Sequence, residues 1–232
     1  MKQFITWLFN TGYSRRDKKT PTEKLLMSMR VTAKCRYNAA NRLLWQNRFS
    51  FITTTVLSLG LIFIPLMQNA GVDIPIKQTV LNMMQIFLAV AVLVYSIVIA
   101  TAQYELRAEK LTSCGDKLKE LIRSLDKISS SNTIDNDESH LSEYQEKYSE
   151  VTTRTENHSN CDYTFSTLEM RNDYNISGLR RLMLYVTAYT QLLPPFIIPI
   201  LMLCFEILFI TDMIGLSNSL PDIFRLPVSG SS

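Results

Sequence analysis

Three stretches of this 232-residue chain carry no charged side chain at all: Phe49 to Val72, Gln78 to Tyr104 and Leu182 to Phe205. An α-helix rises about 1.5 Å per residue, so ~20 apolar residues cross a hydrocarbon core ~30 Å thick. Each stretch is longer than that, which makes the chain a membrane protein. The first two are joined only by Gln68 to Thr79, where Gly71 and Pro75 mark a turn, so they are expected to form an antiparallel hairpin.

The cations are unevenly placed. Ahead of Phe49 there are 11 Lys or Arg against two acids, Asp17 and Glu23, a net charge of +9, whereas the hairpin loop has only Asp73 and Lys77. Cations flanking a span are retained in the cytoplasm, and Arg107 and Lys110 follow the second span. Both outer ends are therefore expected in the cytoplasm, with the loop on the other side. The whole-chain charge of +3 hides this polarity, because Tyr104 to Arg181 is acidic, with 11 basic and 15 acidic residues.

Thr22 to Arg48 reads as a helix. Leu26, Met29, Ala33, Tyr37, Ala40 and Leu44 fall on one narrow arc, with Lys24, Arg30, Lys34, Arg42 and Arg48 outside it, and Pro21 suits the first helical turn. The basic face could meet anionic lipid or a nucleotide, or simply be solvated and set topology. The second span is expected to continue as a helix. Its residues Leu111, Cys114, Leu118, Leu121, Leu125 and Ile128 make a heptad seam that needs a partner, either the basic helix or a second copy of the chain.

The organisation that follows is a basic arm and helix over 1–48, a transmembrane hairpin over 49–104, a helical region over 105–181 with a polar linker at 129–140, and a C-terminal membrane-associated segment and tail over 182–232. A helix carrying Tyr144, Tyr148, Val151 and Thr155 on one face is expected after the linker, ending in the Asn- and Ser-rich stretch Glu156 to Tyr163. The third apolar stretch is broken by Pro194, Pro195 and Pro199, so it is one kinked span or a re-entrant hairpin, with the kinked span favoured. The N-terminal run Phe4, Ile5, Trp7, Leu8 and Phe9 is too short for a signal-peptide core and suits the membrane interface. The fold class is all-α integral membrane.

Little in the chain suggests catalysis. His140 and His158 are the only histidines, the four cysteines are scattered with no CxxC, and no hydrolase, nucleotide or dinucleotide fingerprint is present. His158, Cys161 and Asp162 have a superficially metal-like spacing, but one such cluster with no second half fits structural hydrogen bonding better. No enzyme activity, cofactor or direct nucleic-acid binding is expected.

The informative polar residues lie in the apolar spans. Asn82, Gln85, Ala89, Ser96, Ala100 and Gln103 form a small or polar stripe on the second span, and Ser50, Thr54 and Ser58 lie on a similar stripe of the first. Exposed to lipid, such groups would go unsatisfied, so the stripes are expected to face protein or water. They are either helix-interface residues or the lining of a pore, which two spans could enclose only as several copies.

The basic helix leading into a two-span hairpin, the helix YELRAEKLTSCGDKLKELI (Tyr104 to Ile122) and the stretch YQEKYSEVTTRTENHSNCDY (Tyr144 to Tyr163) resemble the SLATT proteins, in particular the subfamily found beside reverse transcriptases. Glu156, Asn157, His158, Asp162 and Tyr163 carry the more specific part of the likeness. The resemblance implies a bacterial inner-membrane effector of antiviral conflict systems that forms pores when a partner, such as a reverse transcriptase or a nucleotide-signal system, detects infection. It implies a homo-oligomer in lipid and no catalytic residues. The competing reading is a non-conducting anchor that recruits a cytosolic partner through the acidic segment Asp135 to Asp173.

Overall fold

The computed structural model describes residues 14–15, 20–130, 138–171, 173–176 and 178–226. The apolar N-terminal run and most of the polar linker lie outside them. The elements are β1 (Ser14–Arg15), α1 (Pro21–Asn69), α2 (Gln78–Ala102), α3 (Tyr104–Ser130), α4 (Glu138–Thr153), α5 (Asn160–Glu169), β2 (Tyr174–Asn175), α6 (Gly178–Leu192), α7 (Pro194–Met213) and a 3-10 turn (Asp222–Phe224). The only sheet among them is the two-residue antiparallel pairing of β1 with β2. The chain is thus essentially all-α. It divides into two compact units, residues 1–45 with 104–194, and residues 46–103 with 195–232.

Local chemistry fixes where α1 starts. The Glu23 N–H donates to Thr20 Oγ1 at 3.2 Å while the Thr20 N–H donates to Glu23 Oε2 at 3.4 Å, a capping box with Pro21 at the first helical position. No Gly or Pro falls between Pro21 and Gly60, and the helix continues through Gly60 and Pro65 to Asn69, 49 residues in all. At its other end the hairpin loop turns through Gly71 in the left-handed region, φ 70°.

In the first unit the amphipathic arc of α1 packs antiparallel on α3. Ala39, Ala40 and Leu43 meet Ala108 and Leu111; Ala33 meets Cys114 and Leu118; Leu25, Leu26 and Met29 meet Leu125 and Tyr144. The heptad seam is therefore filled within the chain. Leu111, Leu118 and Leu125 are buried against α1, Leu121 and Ile128 are partly buried against the same cluster, and no second copy is needed to cover them. A second face of α1, Met27, Val31 and Cys35, packs on Tyr174.

Three expectations are altered by the backbone. Gln103 adopts φ 48° and ψ 43°, which divides the helical run that begins at Gln78 into α2 and α3. The linker shrinks at both ends, since α3 reaches Ser130 and α4 starts at Glu138. The third apolar stretch divides at Leu193. Its first half is α6, and the helix long enough to cross a bilayer is α7, which contains Pro199 and also Glu206 and Asp212. The paired prolines explain the shift. A proline is tolerated in a first helical turn, where its missing N–H has no partner to lose, so Pro194 and Pro195 start a helix more readily than they kink one.

In the second unit α7 lies beside the hairpin for its whole length. Phe49 stacks edge-on against Phe196 with ring centroids 5.1 Å apart, Gly60 meets Glu206, and Ile76 pairs with Arg225 beyond the end of α7. Phe209 and Met213 complete a core with Leu57, Ile64, Leu81, Met84 and Leu88. The loop is closed by the segment after α7, with Lys77 N–H to Phe224 C=O at 3.0 Å and Leu226 N–H to Pro75 C=O at 2.9 Å. The end of α7 and the hairpin loop thus share one end of the unit. Large apolar side chains cover the outside, among them Ile62 (63% exposed), Met83 (66%) and Leu201 (63%). A face of this kind calls for lipid or another protein surface against it. Three helical stretches, Pro21–Asn69, Gln78–Ser129 and Pro194–Met213, are long and apolar enough to cross a membrane.

Candidate functional site

Two regions hold the residues singled out from the sequence. The first is the ENHS and DY stretch. Glu156 to Ser159 connects α4 to α5, but Cys161 to Tyr163 open α5 and do not end the helix before it. Ser159 and Asp162 have the spacing of a helix start, and this signal in the sequence was available: the Ser159 N–H donates to Asp162 Oδ2 at 3.0 Å and the Ser159 hydroxyl donates to the same oxygen at 2.7 Å. Asp162 is buried, with a side chain 2% exposed, and takes a two-pronged ion pair from Arg42, Nε to Oδ1 and Nη2 to Oδ2 each at 3.0 Å. A planar guanidinium matches a carboxylate in this way, and the geometry fixes the N-terminus of α5 on α1.

The rest of the stretch is tied down by the same helix and by α3. Arg36 donates to the Glu156 carbonyl and, at 3.4 Å, to the Thr152 carbonyl. The Glu156 carboxylate receives Arg107, Nε to Oε1 at 3.1 Å. Asn157 accepts the His158 N–H at 3.0 Å, and the His158 ring stacks over Tyr163 at 6.3 Å. Burial, together with the Arg36 guanidinium, pushes the His158 imidazole below the ordinary histidine range. These residues dock helices against one another. Among the described residues no group of three or more His, Cys, Asp or Glu side chains is gathered as metal ligands.

The basic face of α1 has a use that its sequence did not single out. Arg30 pairs with Asp126 at 3.1 Å, Lys34 with Glu169 at 2.7 Å and Arg42 with Asp162, so acids of α3 and α5 take up these three cations. Part of the acidic segment is spent inside the chain by the same contacts.

The second region is the pair of membrane stripes. The hydroxyls of the first are satisfied by their own helix: Thr54 donates to the Ser50 carbonyl at 3.0 Å and Ser58 to the Thr54 carbonyl at 2.7 Å, while Tyr95 donates to Ser50 Oγ at 3.1 Å. Ser96 likewise bonds the Val92 carbonyl at 2.7 Å. Hydroxyls in a helix reach the carbonyl one turn back, so they do not by themselves force a polar partner. Amides cannot do this. Gln85 donates to Gln68 Oε1 at 2.6 Å, and Gln68 and Gln78 each reach Asn82 Oδ1 at 3.4 Å, an amide ladder near the loop end.

Burial separates the faces of α2. Leu81, Met84 and Leu88 turn into the core, whereas Asn82, Ala89, Ala100 and Gln103 are exposed and Gln85 and Ser96 half-buried. On α1 the innermost face is Thr53, Leu57, Gly60 and Ile64, one step round from Ser50, Thr54 and Ser58, and of these three only Ser50 is fully buried. A glycine and a threonine within one apolar run, and Glu206 within another, are the sequence features that mark this face.

Residues 18–210 match a family described as the SMODS and SLOG-associating 2TM effector domain, family 5. No curated protein matches the chain. No solved structure matches it either.

Proposed function

We propose that this chain, which belongs to the SMODS and SLOG-associating 2TM effector domain family, acts in antiviral defence by assembling in the bacterial inner membrane and opening a water-filled path when triggered. Membership makes it a membrane effector. The observation that carries the pore is the α2 stripe: Ala89, Ser96 and Ala100 present small side chains on an accessible face, with Asn82 and Gln103 exposed at either end. Small residues let helices of neighbouring copies approach closely, and exposed amides avoid lipid only by facing protein or water. A ring of such stripes lines a channel without any catalytic residue. The trigger comes from a cytosolic defence partner, a reverse transcriptase or a nucleotide-signal protein. The anchor reading is less favoured because Glu156, Asp162 and Glu169 of the acidic segment are already paired with Arg107, Arg42 and Lys34.

Changing Gln85 and Ser96 together to Leu is expected to abolish ion or dye leakage on activation, with expression and oligomer size unchanged. Loss of association with leakage per assembled oligomer preserved would assign the stripe to helix contacts alone. Cysteines placed at 85, 89 and 96, with the native cysteines replaced, should react with water-borne thiol reagents in the activated protein. Uniform inertness there would leave the anchor in place of the pore.

Orientation is set by the +9 arm. Reporter fusions at Ser131 are expected to read cytoplasmic, and fusions at Gly71 and after Leu226 periplasmic, since loop and tail pair with one another. Opposite signals at Gly71 and Leu226 would break the three-crossing arrangement.

A further inference from the structure

One carboxyl in the apolar interior of the second unit bonds to nothing among the described residues. Glu206 lies within α7, flanked by Phe205 and Ile207, and is 0% exposed; neither Oε1 nor Oε2 has a hydrogen-bond partner. It points at α1 where Gly60 stands. A Cβ on Gly60 would fall inside the Glu206 carboxyl, so only glycine leaves the space that the acid occupies.

The packed elements offer no counter-charge. Neither α1 from Phe49 to Asn69 nor α2 contains a Lys, Arg, His, Asp or Glu. On α7 the other acid, Asp212, lies beyond the next helical turn and is held by Arg225 at 2.6 and 2.7 Å. The remaining titratable groups are Tyr95, bonded to Ser50, and Cys204, which is exposed. The charges at the loop end, Asp73, Lys77 and Asp222, lie past Asp212. An ionised carboxylate here would be uncompensated in a medium without water, the costliest state a side chain can take. A metal ion would ask for several further oxygen ligands, whereas a proton asks for none.

We propose that Glu206 is an intramembrane proton-binding site, filled while α7 lies against Gly60, and that water reaching the carboxyl as α7 leaves Gly60 accepts the proton. The carboxylic O–H bond breaks, the proton passes to that water, and the carboxylate left behind is hydrated. This inference does not depend on the pore reading.

Glu206 is the only buried glutamate among the described residues, which makes the test direct. The full chain with carbon-13-labelled glutamate, in phosphatidylcholine and phosphatidylglycerol vesicles, is expected to show at neutral pH an infrared band of a protonated glutamic acid. Glu206→Gln, uncharged and of the same shape, should remove that band. Raising the pH should lower the melting temperature of the wild type more than that of Glu206→Gln, because only the wild type has this proton to lose. Absence of the band in the labelled wild type overturns the proposal even if the variant fails to fold. So does a band that survives Glu206→Gln, or an equal pH dependence of the two proteins.

Discussion

Asp162→Ala is expected to destabilise the first unit by about 3–5 kcal/mol, the usual cost of removing one partner of a buried ion pair. The carboxylate meets Arg42 through both prongs and also accepts the Ser159 N–H and hydroxyl. Its loss strands a guanidinium whose side chain is only 21% exposed and removes the Asp162 half of the capping box at the start of α5. Asp162→Asn keeps an acceptor for the cap but no charge for Arg42, so it should fall between the two. Denaturant unfolding of the full chain in detergent checks the magnitude, and hydrogen exchange should show α5 opening first. An Ala variant as stable as wild type would mean that the pair contributes nothing beyond its own desolvation.

A change of similar size is expected for Leu118→Asp. Leu118 is fully buried against Ala33 of α1, and an unpaired charge in that position costs several kcal/mol unless it is neutralised. Because the seam is filled within the chain, the expected result is loss of helical structure in the first unit at every protein concentration. A folded variant that merely ran as a smaller oligomer would mean that α3 packs on a second copy and not on α1. Circular dichroism with size measurement in detergent separates the outcomes.

Both sites show how ionic and apolar contacts divide the work in the first unit. Apolar burial of α3 on α1 supplies the bulk of the association, while the pairs of Arg30, Lys34 and Arg42 with Asp126, Glu169 and Asp162 fix which faces meet. The exposed pairs, Arg30 with Asp126 and Lys34 with Glu169, are worth little each, about 0–1 kcal/mol. Asp162 differs because water is excluded from it.

The sequence alone determined the membrane hairpin, the start of α1 at Pro21 and the apolar arcs of α1 and α3. Those features need only one-dimensional information: a charge-free run longer than the hydrocarbon is thick, a proline in a first turn, a period near 3.6. Tertiary structure decided the rest. Arg42 and Asp162 lie 120 residues apart, and no local pattern pairs them. In the spans the limit has a different origin. Water sorts the faces of α3 because a buried leucine differs from an exposed one, but lipid and protein interior are both apolar, so hydropathy does not say which face of α1 turns inward. The face that does so, through Gly60, is fixed by the fit of one helix against another and by the Glu206 carboxyl that this glycine admits.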